Sequence, residues 1–392
     1  MLRRLLSALL GAAVFAIAGS VQAEVGTVRP VEDVRSLTII QNSLAMGQAS
    51  SLGVQTMLIR EIGQRFRDAP ADVWSQPGNA TAAIKYLLSG GNPEFAKNPA
   101  FRKAVPEDQH ALLDATISYA EGRLVDARER FAAIKARELD PTVAGHVALV
   151  KGVLAASRDP IKARQYLEEA RLLGSGTLVE EAALRRQVGM VTLEGHSKGF
   201  RILAETYIRH FQASVYAGAF RRDFSHVVAR LGEDDGAEHA TWLKRTMALL
   251  DDAQRPAYCT AIARQALMHG RPEFVSVVAE IARQTHSIPD EAAKQLGLYD
   301  AAISMLGGDL ARSRRELTST GAVEPLDPFD ASIRKAALAM VDSIGAWPTE
   351  TASAAPPKTS AGGADKVRAF PGKGTLAQGR EALDVATALL KQ

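Results

Sequence analysis

The fold is decided by residues 124–170, which read LVDARERFAAIKARELDPTVAGHVALVKGVLAASRDPIKARQYLEEA. Two sets of residues share one spacing, a small residue, a large one four positions on, and a third three positions further: Ala127, Phe131, Ile134 and Ala163, Leu167, Ala170. The spacing is typical of the second helix of a tetratricopeptide unit, because paired helices approach closely at the small residue and the large one fills the groove towards the next pair. The stretch therefore predicts stacked helix pairs that repeat every 36 residues.

The same helical pattern extends over most of the chain. A third set, Gly199, Leu203 and Thr206, repeats the spacing loosely. Elsewhere apolar residues recur at helical spacing between short turns rich in Gly, Pro and Asp, and strand-like alternation is scarce, its best examples being residues 36–40 and 188–193. We predict an all-α protein built as a tetratricopeptide-like helical-repeat array, an α-solenoid. An irregular helical bundle is the alternative.

The composition fits helices that pack through small side chains. Of the 392 residues, 46% are hydrophobic but only 6% are aromatic. The 47 basic and 44 acidic residues give a net charge of +3, and Arg3 and Arg4 lie in a segment that we expect to be removed. The mature chain is then nearly neutral, and binding to nucleic acid is disfavoured because it requires clustered positive charge.

The N-terminus has the pattern of a secretory signal peptide. Two arginines are followed by an uncharged apolar run over residues 5–18, and Val21 and Ala23 occupy the positions that a signal peptidase reads. The run is shorter than the ~20 residues that a membrane-spanning helix needs. We predict a signal peptide over residues 1–23, cleavage between Ala23 and Glu24, and a mature protein in the periplasm of a Gram-negative cell.

The C-terminal region differs in composition from the rest of the chain. We predict a helical-repeat body over residues 24–348, a flexible linker rich in Pro, Ala, Gly and Ser over residues 349–374, and a C-terminal helix over residues 375–392. The helix docks on the body or engages a partner, and the sequence leaves both open. Cys259 is the only cysteine, so no intramolecular disulfide can form, and its apolar surroundings predict a small core residue.

One segment formally matches a catalytic motif. Residues 195–199, GHSKG, fit the nucleophile elbow of serine hydrolases, in which Ser197 follows a buried strand. Downstream, however, the histidines His269 and His286 both lie in helical patterns, and no series of buried strands is present. We interpret the segment as a turn between helices and keep a hydrolase that uses Ser197 as a remote alternative.

Other chemical motifs are weaker still. Ser332 and Lys335 have the Ser-x-x-Lys spacing of penicillin-recognising enzymes but lack the accompanying strand motif. The eight histidines are scattered, without the paired spacing of a metal-binding helix. We therefore predict no catalytic residue, no metal site, no cofactor and no small-molecule substrate.

Recognition of another protein is the remaining chemistry. Two basic pairs, Arg185 with Arg186 and Arg221 with Arg222, are predicted to be exposed beside apolar helix faces, where guanidinium groups can meet carboxylates of a partner. A solvated helix face is the alternative reading of both pairs.

Three segments together resemble a known family. They are residues 79–91, NATAAIKYLLSGG, residues 176–186, GTLVEEAALRR, and residues 214–221, SVYAGAFR. In this order and spacing they are similar to the MotC family, periplasmic motility and chemotaxis proteins of rhizobial-type alpha-proteobacteria. The resemblance implies a non-enzymatic role in flagellar rotation, in which the protein binds the periplasmic part of the stator protein MotB. A periplasmic scaffold for envelope or cell-wall assembly is the alternative with the same architecture.

Overall fold

A computed structural model describes residues 28–191, 197–231, 236–286, 288–320 and 326–345. These described residues form seventeen α-helices and no strand, which confirms the all-α, helical-repeat prediction. The chain divides into two compact units, Met1–Ala183 and Leu184–Gln392. The predicted signal peptide, linker and C-terminal helix lie outside the described residues and stay predictions.

Unit 1 contains eight described helices and the start of a ninth. They are α1 Pro30–Ala45, α2 Ser51–Asp68, α3 Pro77–Leu88, α4 Pro99–Ala104, α5 His110–Ala120, α6 Leu124–Ala132, α7 Pro141–Ala155, α8 Pro160–Leu173 and α9 Leu178–Gly189. Many begin with proline, whose fixed φ suits the first turn and whose missing N–H costs nothing there. Asp140 and Asp159, directly before α7 and α8, accept hydrogen bonds from backbone N–H groups of the first turn.

The described helices of unit 2 continue the series. They are α10 Ser197–Phe211, α11 Ala217–Arg230, α12 Gly236–Met247, α13 Arg255–Met268, α14 Pro272–Arg283, α15 Asp290–Ser304, α16 Leu310–Ser319 and α17 Pro328–Gly345. In this unit α11 contacts α13, α13 contacts α15, and α15 contacts α17, while α12 contacts α14. Alternate helices thus stack on one another, as expected for a series of helix pairs. No helix among the described residues is long and apolar enough to span a bilayer.

The α7–α8 pair shows why the predicted spacing occurs. A Cβ atom added to Gly152 in α7 would lie 2.7 Å from two carbons of Leu167 and 3.4 Å from the carbonyl oxygen of Ala163, both in α8. A Cβ atom on Gly145 would lie 3.3 Å from the backbone at the C-terminal end of α8. Only small residues permit this separation. Ala163, Leu167 and Ala170 are at most 1% exposed, as are Ala127 and Phe131 in α6.

One local prediction is wrong. Gly199 is exposed with no atom within 4 Å of its added Cβ, because α10 instead buries Phe200, Ala204 and Ile208. The third repeat is therefore displaced by one residue. The two stretches with the most strand-like alternation form no strand in the described residues, as the all-α prediction requires: residues 36–40 belong to α1 and residues 188–189 to α9.

Aromatic side chains are few but concentrated. In unit 1, Phe66, Trp74, Tyr86, Phe95 and Phe101 form one buried cluster, with edge-to-face pairs at centroid separations of 5.0–5.3 Å. A second cluster lies in unit 2, and its members are Phe200, Tyr207, Phe220, Phe224, Trp242 and Tyr258. Each unit thus has its own aromatic core, and alanine-rich helix contacts supply the remaining packing.

The close approach of α7 and α8 predicts opposite effects for one substitution at two glycines. Replacing Gly152 by Ala gains up to about 1 kcal/mol of helix propensity but overpacks the contact with Leu167, at a typical cost of about 1–3 kcal/mol. Gly297, in the middle of α15, is exposed and has no atom within 4 Å of an added Cβ. We expect Gly152→Ala to lower the urea midpoint and Gly297→Ala to raise it. Equal shifts of the same sign would contradict the packing described.

Candidate functional site

In each of the two arginine pairs of unit 2, one side chain is exposed and the other is half-buried. Neighbouring residues on a helix point about 100° apart, so the members of a pair face different surroundings. The guanidinium of Arg185 lies over the ring of Tyr216 at 5.5 Å from its centroid, and that of Arg221 lies over Tyr258 at 5.9 Å. Both arginines are half-buried, so the prediction that they are exposed is wrong for these two. The reason is a cation–π contact in each case: Arg185 contacts Tyr216, which directly precedes α11, and Arg221 contacts Tyr258 in α13.

The second member of each pair remains accessible. Arg186 and Arg222 are exposed, and a carboxylate oxygen of Asp223 lies 3.8 Å from Nε of Arg222. Asp223 also faces Gly189, where an added Cβ would lie 2.9 Å from a carboxylate oxygen. The end of α9 and the first half of α11 are therefore neighbours, and each carries one exposed guanidinium.

In the described structure the two histidines of the hydrolase alternative lie beside other residues. Ser197 is the first residue of α10, and residues 192–196 lie outside the described part of the chain. No strand precedes Ser197 in the described residues, since 188–189 are helical. His269 lies beside His226 with ring centroids 5.3 Å apart, whereas His286 is paired with Asp252 at 3.2 Å.

The remaining sequence candidates are structural. Ser332 donates its hydroxyl to the carbonyl of Phe329 at 2.7 Å. Cys259 is fully buried in α13, which confirms its interpretation as a core residue, and burial raises the pKa of its thiol to about 12. Among the described residues, no three His, Cys, Asp or Glu side chains come together as a metal site.

Unit 1 contains a cleft that the sequence did not reveal. Its volume is about 300 Å³, and its walls come from α1, α3, α7, the end of α8 and the start of α9. The polar or charged side chains that line it are Thr38, Gln41, Asn42, Gln55, Lys85, Ser89, Thr142, His146 and Thr177. A second hollow, of about 310 Å³, shares Thr38, Lys85 and Thr142 with the first. Lys85 therefore stands where the two adjoin.

Hydrogen bonds between distant segments hold the cleft walls together. Asn42 in α1 accepts a hydrogen bond from the N–H of Leu178 at 3.1 Å, which fixes the start of α9 against α1. Gln41 donates to the carbonyl of Ser89 at 3.3 Å and so joins α1 to the end of α3. The cleft is thus a built feature of unit 1, with walls that the fold itself positions.

Two titratable groups that line this cleft have lowered pKa values. Burial, helped by the nearby positive charge of Lys85, lowers the pKa of His146 to about 3, so its imidazole is neutral near pH 7. Burial also lowers the pKa of Lys85, against the opposing influence of Asp140. The Asp140 carboxylate accepts hydrogen bonds from the Thr142 N–H at 2.8 Å and hydroxyl at 2.6 Å. The available sequence signal was a single polar residue inside an apolar helical run, as at His146 in VAGHVALV.

Comparisons with known proteins give a consistent result. A family model described as Chemotaxis protein MotC matches residues 1–392. The chain is similar to Chemotaxis protein MotC of Rhizobium meliloti (strain 1021), with 26% identity over 317 residues that cover 80% of this chain and 72% of that relative. No solved structure matches the chain. The predicted family resemblance is confirmed.

The lowered pKa of His146 predicts a specific acid sensitivity. Below the unfolded-state pKa of about 6.5, His146 is protonated in the unfolded chain. In the folded chain it stays neutral until the pH falls to about 3. Stability is therefore lost as pH falls through this window, by up to about 2 kcal/mol between pH 6.5 and 5. We expect His146→Gln to lose correspondingly less stability, as measured by urea unfolding at both pH values. Parallel losses in the two proteins would contradict the burial of this imidazole.

Proposed function

We propose that this chain, which belongs to the MotC family, is a motility protein that binds the periplasmic part of the flagellar stator protein MotB and modulates motor rotation. The match of the family model over the whole chain carries the proposal. The similar Rhizobium meliloti protein bears the name of a chemotaxis protein. An array of helix pairs supports the proposal physically, because stacked pairs offer extended surfaces for protein recognition.

Export to the periplasm belongs to the same proposal. The stator segment in question lies outside the cytoplasmic membrane, so a protein that binds it must be exported. The basic and apolar residues before Ala23 support export and cleavage ahead of Glu24. A fold without disulfides is compatible with this compartment, since its single cysteine is buried and its thiol has a raised pKa.

Arg186 and Arg222 are the side chains we propose for the partner contact. Both are exposed on neighbouring helices of unit 2, where their guanidinium groups can form bidentate hydrogen bonds to carboxylates. Arg185 and Arg221 are engaged with tyrosine rings and instead hold the surrounding helices in place. The helix framework thus fixes the backbone from which the exposed arginines extend.

Modulation of rotation follows from unequal binding. A protein that binds one conformation of the stator more tightly than another shifts the population towards the bound conformation. The shift can be no larger than the difference in binding free energy between the two conformations. No chemical reaction is required of the motility protein in this mechanism.

The partner contact predicts a selective effect of removing two charges. We expect Arg186→Gln with Arg222→Gln to weaken capture of the periplasmic part of MotB about tenfold or more, because charge-assisted hydrogen bonds are worth about 1.5–3 kcal/mol each. The bait is the mature protein, purified from the periplasm of the cells that produce it. Mass spectrometry of this protein is expected to find Glu24 as its N-terminal residue.

The matched control removes the same charge from another exposed pair in unit 2. Lys244→Gln with Arg245→Gln, both on α12, is expected to leave capture unchanged. Equal loss in both double variants would indicate a general charge effect and contradict the assignment of the arginines. Capture of cell-wall assembly proteins without MotB would favour the envelope scaffold over the motor role.

A further inference from the structure

Among the described residues, the ammonium group of Lys85 is the only formal charge that lines the first cleft of unit 1. The side chain is half-buried, and among the described residues it forms no hydrogen bond and no ion pair. Burying an unpaired charge is costly, and such groups normally pair with an opposite charge. The carboxylate of Asp140, in the adjoining hollow, acts on Lys85 electrostatically, but it already accepts the hydrogen bonds that cap α7.

An uncharged group of the cleft also has unused hydrogen-bonding capacity. The imidazole of His146 makes no hydrogen bond within the described residues, and in its neutral form it carries one N–H donor. A cation and a potential donor therefore line one cleft, and neither has a hydrogen-bond acceptor among the described residues.

We propose that this cleft binds a small apolar molecule carrying a single carboxylate. The carboxylate would pair with the Lys85 ammonium and accept a hydrogen bond from His146. The apolar part would lie against Leu88, Leu149 and Leu173. A cleft of about 300 Å³ with apolar walls and a few polar groups has the properties of a small-ligand site, at the lower end of the usual size range.

The charge of the cleft determines the class of ligand. One cation balances one negative charge, so a carboxylate fits, whereas a phosphate dianion would keep an unpaired charge in a partly dry site. A cationic ligand would find no carboxylate among the residues that line the cleft. A free acid and the C-terminus of a protein chain present this same carboxylate chemistry. The inference does not rest on the proposed role in the motor.

Calorimetric titration of the mature full chain with hexanoate and with hexanamide tests the proposal. The two probes share size and apolar chain, but only hexanoate is charged. We expect hexanoate to bind and to raise the melting temperature with concentration, while hexanamide binds at least tenfold more weakly. Equal binding of the two probes would overturn the proposal. Failure of both hexanoate and a short apolar peptide with a free C-terminal carboxylate to bind would also overturn it.

Variants locate the binding to the cleft. Lys85→Met is expected to weaken hexanoate binding at least tenfold, and it should leave the empty protein no less stable because an unpaired buried charge is removed. Lys103→Met, at an exposed position of α4, is the matched control and should bind as the wild type does. Unchanged binding in Lys85→Met would overturn the proposal. If that variant fails to fold, as judged by circular dichroism, His146→Leu serves instead, because leucine has no N–H donor. We then expect weaker hexanoate binding, and unchanged binding would contradict the proposal.

The source of the carboxylate is distinguished by a second pair of probes. N-acetyl-Leu-Leu is titrated as the free acid and as the C-terminal amide. If the free-acid peptide binds more tightly than the peptide amide and more tightly than hexanoate, the result supports the proposal and identifies a protein C-terminus as the source of the carboxylate. Tighter binding of hexanoate supports it with a free acid as the source.

Discussion

The close approach of paired helices at small residues is the constraint on which this structure depends. Gly152 in α7 meets Leu167 and Ala163 in α8 at distances that exclude a further carbon atom. The chain contains one cysteine, which is buried and unpaired, so packing carries the stability that a disulfide supplies in many exported proteins. Alanine and glycine at the contacts, with two concentrated aromatic clusters, make that packing dense enough.

The polar features follow from this packing of helices. Where α1, α3, α7 and the start of α9 meet, side chains do not fill the space, and a cleft with one lysine remains. In unit 2 the stacking brings an arginine of one helix over an aromatic ring of another, as for Arg221 with Tyr258 and for Arg264 with Phe329 at 3.9 Å. Arg185, over Tyr216, and Arg221 each belong to one of the predicted pairs, and the second arginine of each pair is exposed. Candidate recognition groups are thus by-products of how the pairs stack.

The helix pairs could be predicted from sequence because their cause is local. Ala127 and Ala163 mark closely packed helices through spacing alone, and both are fully buried. Gly199 shares the spacing but not the packing, since the neighbouring Phe200 is larger and shifts the buried face of α10 by one residue. The rings over which Arg185 and Arg221 lie, and the meeting of Lys85 with His146, depend on contacts between distant segments. No spacing along the chain indicates such contacts.

Family membership and an architecture suited to binding support the same role. The family model covers the chain from residue 1 to residue 392, and the described residues form helix pairs with exposed basic groups on neighbouring helices. We propose that this protein acts on the rotation of assembled flagella, and measuring the rotation of tethered cells with and without the gene tests that role. We expect slower or interrupted rotation in deletion cells that carry a normal number of flagella, and restored rotation when the intact gene is returned. Unchanged rotation after deletion would contradict the role.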